Sequence, residues 1–374
     1  MKVVTIVGAR PQFIKAAPVS HLLRQAHREV LVHTGQHYDD AMSAVFFREL
    51  AIPEPNYNLG IGSGPHGAQT GQMLSAVEEV LLAEKPDWAL VYGDTNSTLA
   101  GALAACKLRV PIAHVEAGLR SFNREMPEEH NRVLTDHCAD LLFCPTQTAV
   151  DNLANEGIRQ GVQLVGDTMF DAVRQFRELA RERSRILESL GLSPGSYLLA
   201  TVHRPYNTDA PEQLGIILQA FAEIGEPIVF PVHPRTQRNI AKLSETLHRP
   251  AVARNVRMIE PVGYLDMLML EGNARLILTD SGGMQKEAFW LGVPCVTLRP
   301  ETEWVETVES GWNRLAWDGV EPILEAVRRP WPVEPPPPHF GDGQASRRIV
   351  DALAARLSLT AEDIGAAKRI ADLR

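Results

Sequence analysis

The chain has 374 residues, 45% of them hydrophobic and 22% charged, a globular balance on a length that exceeds one core and so predicts two domains. A formal net charge of -9, with no basic run and no interleaved aromatic patch, argues against a nucleic-acid partner. No run of about twenty apolar residues occurs, and Met1-Lys2 leads straight into an apolar strand, so neither a membrane span nor a signal peptide is expected.

Apolar, β-branched strands alternate with helical patterns along the chain. In the first half the strands are expected at Val3–Val7, Val30–His33, Trp88–Tyr92, Ile112–Val115, Leu141–Cys144 and the short Leu164-Val165. In the second half they are expected at Tyr197–Val202, Ile228–Val232, Arg257–Ile259, Leu276–Leu278 and Cys295–Leu298. Helical stretches such as Ala68–Ala83, Phe170–Leu190 and Pro211–Ile224 lie between them. This spacing implies right-handed βαβ units, hence an α/β protein with two Rossmann-like parallel-sheet domains and a cleft between them. The boundary is expected near Gly166-Asp167-Thr168, giving domains 1–167 and 168–344, with a last helical segment in 345–374 that returns to the first domain. The four cysteines, Cys106, Cys138, Cys144 and Cys295, have no CxxC spacing and read as reduced core residues of a cytoplasmic protein.

Several strand ends carry groups suited to chemistry. After Val3–Val7, Pro11 fits the first turn of a helix, which places Arg10 at its mouth and Lys15 a turn further in. In an acidic chain, two cations beside a helix N-terminus make an anion cradle. No GxGxxG follows this strand, so a dinucleotide site is a poor fit, and no GxxxxGK[ST] is present, which removes the P-loop. Asp94 follows the strand Trp88–Tyr92, Glu116 follows Ile112–Val115, and Glu128 begins a helix with Arg132 four residues on. Asp94 also fits an N-cap, and Glu128–Arg132 also fits a surface pair. Three carboxylates converging would suit proton transfer. His203 closes the strand Tyr197–Val202 and reads as a ligand for phosphate, whereas His233 reads as a structural turn. The remaining histidines form no HExxH or HxH set, so no metal is expected.

The segment Leu276–Glu287, LILTDSGGMQKE, reads as a buried strand running into a helix through Ser281-Gly282-Gly283. Glycine amides at a helix N-terminus suit phosphate, and Glu287, a turn inside, suits a sugar diol. An ordinary glycine-rich βα turn would look the same.

Taken together, GARPQFIK, TGQHYD, YGDTNST, HVEAGLR, PEEHNR, TVHR, HPRT and TDSGGMQKEA occur in the order seen in the non-hydrolysing UDP-N-acetylglucosamine 2-epimerases, and the chain resembles that family from Met1 to about Gly343. The resemblance implies a GT-B-type pair of Rossmann domains, a UDP-sugar substrate, no NAD or metal, and a homodimer. It implies inversion at C2 by anti elimination of UDP to a 2-acetamidoglucal and re-addition, in the making of surface polysaccharide precursors. Carried over by position, Asp94, Glu116 and Glu128 match the acidic trio, while Arg10, Lys15, Arg132 and His203 match groups around diphosphate and sugar. Ser281, Gly282 and Gly283 match the phosphate turn, Glu287 the ribose ligand, and Val262 and Met267 the uracil contacts. Gln36-His37 match part of a substrate-activator site.

Two positions depart from the best-known branch. Gln12 replaces a glutamate, which would remove a like charge opposing a uronate, and Trp304 in TEWVE replaces an arginine. RPQFIK and TEWVE look closer to the branch acting on UDP-2,3-diacetamido-2,3-dideoxyglucuronic acid. A GT-B glycosyltransferase using a UDP-sugar donor is the alternative; it would have no use for three carboxylates.

Overall fold

A computed structural model describes residues 1–35, 52–248 and 251–356. Gln36 and His37 lie outside the described residues, as does 357–374 of the last segment. The strands are β1 Lys2–Val7, β2 Arg28–His33, β3 Tyr57–Asn58, β4 Trp88–Tyr92, β5 Ile112–Val115, β6 Leu141–Cys144 and β7 Val162–Leu164 in the first half. In the second they are β8 Leu198–Thr201, β9 Ile228–Pro231, β10 Val256–Ile259, β11 Leu276–Thr279, β12 Cys295–Thr297 and β13 Asn313–Leu315.

The strands form two parallel sheets, one of seven strands ordered β3-β2-β1-β4-β5-β6-β7 and one of six ordered β10-β9-β8-β11-β12-β13. The central strands are buried along their length, which is why they read as unbroken apolar runs. Val4 pairs with Val30 on one side and Ala89 on the other, while Leu278 pairs with Ala200 and Val296. Helices pack on these faces over apolar clusters, one built on Val4, Ile6, Val91 and Ala104, another on Leu198, Phe221, Phe230 and Leu278.

Strand order places the chemistry. In the first sheet the chain runs outward from β1 through β2 and β3, then returns to add β4 against β1. The second repeats the device, with β11 returning to pair with β8. Connections leave in opposite directions at such a reversal, which opens a crevice beyond the strand ends. Arg10 and Asp94 follow the strands flanking the first reversal; His203 and Ser281 follow those flanking the second.

By contacts the chain divides into Met1–Gln175 with the segment from Pro338, and Phe176–Pro337. This differs from the expected bounds 1–167 and 168–344. The helix Thr168–Arg183 starts with the first unit, because its Asp171 accepts hydrogen bonds from the Ala345 and Ser346 amides at 3.3 and 2.7 Å. Those amides open a helix over 345–356, and the Phe340 carbonyl accepts from the Asp167 amide at 3.0 Å, so the returning segment begins earlier than 345. The expected helix Phe170–Leu190 is two helices, Thr168–Arg183 and Ile186–Leu190, parted where the Ser184 hydroxyl turns to Asp266 at 2.5 Å. All four cysteines are free, but Cys106 is exposed, which corrects its reading as a core residue; Cys144 and Cys295 are buried. Among the described residues no helix is long and apolar enough to cross a membrane.

Candidate active site

In the first unit the structure brings four of the sequence-predicted residues into two ion pairs. Lys15 Nζ meets Glu116 Oε2, and Arg132 Nη2 meets Asp94 Oδ2. Glu116 is 8% exposed and its backbone lies in the left-handed region at φ +72°, a costly conformation for a non-glycine residue. Gly93, at φ +62°, lies directly against this pair. A Cβ there would come within 3.2 Å of Glu116 Oε2 and 3.5 Å of Lys15 Nζ, a tight fit, and the left-handed backbone itself favours glycine in the turn before Asp94.

Asp94 is half-buried and does not cap the following helix. That role belongs to Thr95, whose side chain accepts from the Thr98 amide of the helix Asn96–Leu108. Arg132 is 3% exposed, which removes the surface-pair reading: its guanidinium also bonds Glu129 Oε2 at 3.1 Å. Glu128 sits half-buried in the first turn of the helix Pro127–Cys138. Arg10 is the first residue of the helix Arg10–Ala26, and its side chain lies outside the described residues.

A buried network supports this half-site. His114 Nε2 donates to the Gly93 carbonyl at 2.7 Å, and Nδ1 lies 2.7 Å from Asp136 Oδ1. Burial alone would raise the Asp136 carboxyl, but the His114 hydrogen bond and the Arg120 guanidinium hold it below the usual range. Asn131 donates to the Asp94 carbonyl at 2.9 Å. Gln12, 1% exposed, accepts from the Gly8 and Ala9 amides and donates to the Tyr92 carbonyl and Thr98 hydroxyl at 2.8–3.0 Å. It is a brace between the ends of β1 and β4, a role the sequence did not suggest. A glutamate would present no hydrogen to the Tyr92 carbonyl.

The second unit holds the glycine turn. Ser281 caps the helix Gly282–Leu291 by accepting from the Met284 amide, and Gly282 and Gly283 occupy first-turn positions whose amides lack intrahelical acceptors. A side chain at Gly282 would come within 2.6 Å of Glu303 Oε1. Glu287 is 4% exposed one turn further on. Val262 and Met267 are half-buried and pack against the apolar cluster that includes Met284. Asp280, fully buried, gathers the loop after β8: its oxygens accept from the His203 and Arg204 amides and Asn207 Nδ2 at 2.9–3.1 Å. His203 Nδ1 lies 3.2 Å from the same carboxylate, while half of that side chain stays exposed. His233 is the structural turn expected, its Nδ1 accepting from the Arg235 amide at the start of the helix Pro234–Leu247.

Trp304 is packed inside the second unit. It is 3% exposed and its ring lies 3.8 Å from Lys286 Nζ, itself 1% exposed, with Trp290 at 5.5 Å on that ammonium. Sequence reasoning missed Asp280, Glu129 and the His114–Asp136 pair. The i,i+3 spacing of Glu129 and Arg132 was a local signal; Asp280 and His203 are too distant in sequence to leave one.

A family model described as UDP-N-acetylglucosamine 2-epimerase matches residues 21–354. The chain belongs to that family. Its members are isomerases. The chain is similar to a UDP-N-acetylglucosamine 2-epimerase homolog of Methanococcus maripaludis, at 57% identity over 94% of this chain and 99% of the relative. It is also similar to the UDP-2,3-diacetamido-2,3-dideoxy-D-glucuronate 2-epimerase of Pseudomonas aeruginosa, at 50% identity over 95% and 99%. The crystal structure of Methanocaldococcus jannaschii UDP-GlcNAc 2-epimerase in complex with UDP-GlcNAc and UDP matches at TM-score 0.87 and 46% identity, covering 95% of this chain and all of that one. Both parallel sheets are thus those of the 2-epimerase family.

Proposed function

We propose that this chain inverts C2 of a UDP-linked 2-acetamido sugar without hydrolysing it, in the cytoplasm and as a homodimer, supplying precursors of surface polysaccharide. The observation that carries the reading is the pair of carboxylates Asp94 and Glu116 at the ends of the adjacent strands β4 and β5, each against a cation. The C2 hydrogen of such a sugar is not beside a carbonyl, so removing it alone leaves an unstabilised carbanion. Anti elimination avoids this. A carboxylate takes the C2 proton, the C1–O bond to UDP breaks with its electrons, and a C1=C2 glycal forms. A second acid then protonates C2 from the other face as UDP returns to C1. Glu128 belongs to this acidic set, and Lys15, Arg10 and Arg132 stabilise charge as UDP departs. The turn Ser281–Gly283 and His203 take the diphosphate, Glu287 the ribose, and Val262 and Met267 the uracil.

The choice of sugar rests on residues, since relatives named for UDP-GlcNAc match at 57% and 46% identity and one named for the uronate at 50%. RPQFIK and TEWVE favour the 2,3-diacetamido uronate. The expected result is a higher kcat/KM on UDP-2,3-diacetamido-2,3-dideoxyglucuronate than on UDP-GlcNAc, with the C2 epimer identified by NMR. The reverse order rejects the uronate and leaves 2-epimerisation standing; no epimer from either sugar rejects both.

A further inference from the structure

Five non-glycine residues among those described have positive φ. Lys85, Arg109 and His248 are left-handed C-caps, an ordinary way for a helix to end. Glu116 is in the acidic site. The fifth is Phe122, at φ +59°, and the residue is 75% exposed. A bulky residue in this region is strained, and an exposed ring gains no burial to offset the strain.

The strain is imposed by one carboxylate. Glu129, 5% exposed, accepts from the Ser121 amide, the Ser121 hydroxyl and the Phe122 amide, each at 2.9 Å. Its Oε2 also accepts from Arg132 Nη1 at 3.1 Å, and the other end of that guanidinium holds Asp94. A single relay therefore ties the strained turn to Asp94: amide, carboxylate, guanidinium, carboxylate. This network holds the Phe122 backbone in place with its side chain in the open, on the same guanidinium that holds Asp94.

We propose that Phe122 is a substrate-contacting residue, packing its ring on the apolar face and acetamido methyl of the sugar and so fixing the orientation of C2 over the carboxylates. This rests on the 2-epimerase reading. The test measures C2–H exchange in D2O for the parent, Phe122→Gly and Phe122→Tyr, together with UDP affinity by calorimetry and Tm.

Glycine accepts φ +59° freely, so Phe122→Gly should melt no lower than the parent and bind UDP within about twofold. Its kcat/KM for exchange should fall about tenfold or more, while Phe122→Tyr stays within about threefold. Parent-like kcat/KM in the glycine variant overturns the inference alone. So does an equal loss of UDP affinity, which would put the ring on the nucleotide, or a lowered Tm, which would make it structural. A parent that exchanges nothing removes the epimerase reading, and the inference with it.

Discussion

Replacing Asp94 by Asn, or Glu116 by Gln, lowers turnover by about 10²–10⁴-fold while UDP affinity stays at the parent value. The amides keep the shape of the side chains but take no proton. In Asp94→Asn the remaining oxygen still accepts from Arg132, and in Glu116→Gln the remaining oxygen still accepts from Lys15, so neither change empties the space its cation fills. The loss should therefore appear in kcat with little change in Tm. Their strand ends differ in one respect that sharpens the comparison. Glu116 is held in a strained backbone against Gly93, whereas Asp94 is half-buried, so any structural cost should fall on Glu116→Gln first. Steady-state kinetics on both variants, with UDP calorimetry as the control, decides the assignment. Parent rates in both would remove these carboxylates from the proton transfers.

Glu287→Ala and His203→Ala, by contrast, weaken UDP itself. Each is assigned a charge-assisted hydrogen bond, Glu287 to the ribose diol and His203 to the diphosphate, worth about 1.5–3 kcal/mol. That converts to a roughly ten- to hundredfold rise in the UDP dissociation constant. Asp280 orients His203, accepting from both loop amides and facing Nδ1 at 3.2 Å. Calorimetry with UDP alone reads this without any turnover. Unchanged affinity in both variants would dismiss the nucleotide mapping in the second unit.

How much of this was legible in the sequence depends on whether a feature is local. The bounds of β4, β5 and β6 match the expected ones, because a strand buried on both faces shows as an apolar run with polar ends. β3 and β13 were not expected. Tyr57-Asn58 and Asn313–Leu315 are two- and three-residue edge strands, too short and too polar to carry a period. The returning C-terminal segment is fixed by Asp171 and Val165, more than 170 residues away, so no local pattern could have moved its start to Pro338.

The acidic residues were visible as acids at strand ends, but their partners were not. Arg132 looked like a partner for Glu128 and is instead buried between Asp94 and Glu129. Gln12 and Trp304 stood out as departures, but what each packs against was not legible. One braces two strand ends with four hydrogen bonds, and the other covers a buried lysine.

The most direct measurement is proton exchange at C2 of the sugar. The protein is incubated in D2O with each of the two UDP-sugars, without added nicotinamide cofactor or metal, and the sugar H2 resonance is followed by NMR. The account predicts that H2 disappears from at least one sugar, in proportion to protein concentration, with deuterium at C2 of both epimers. A bound UDP-sugar that keeps its C2 hydrogen in both cases would contradict it.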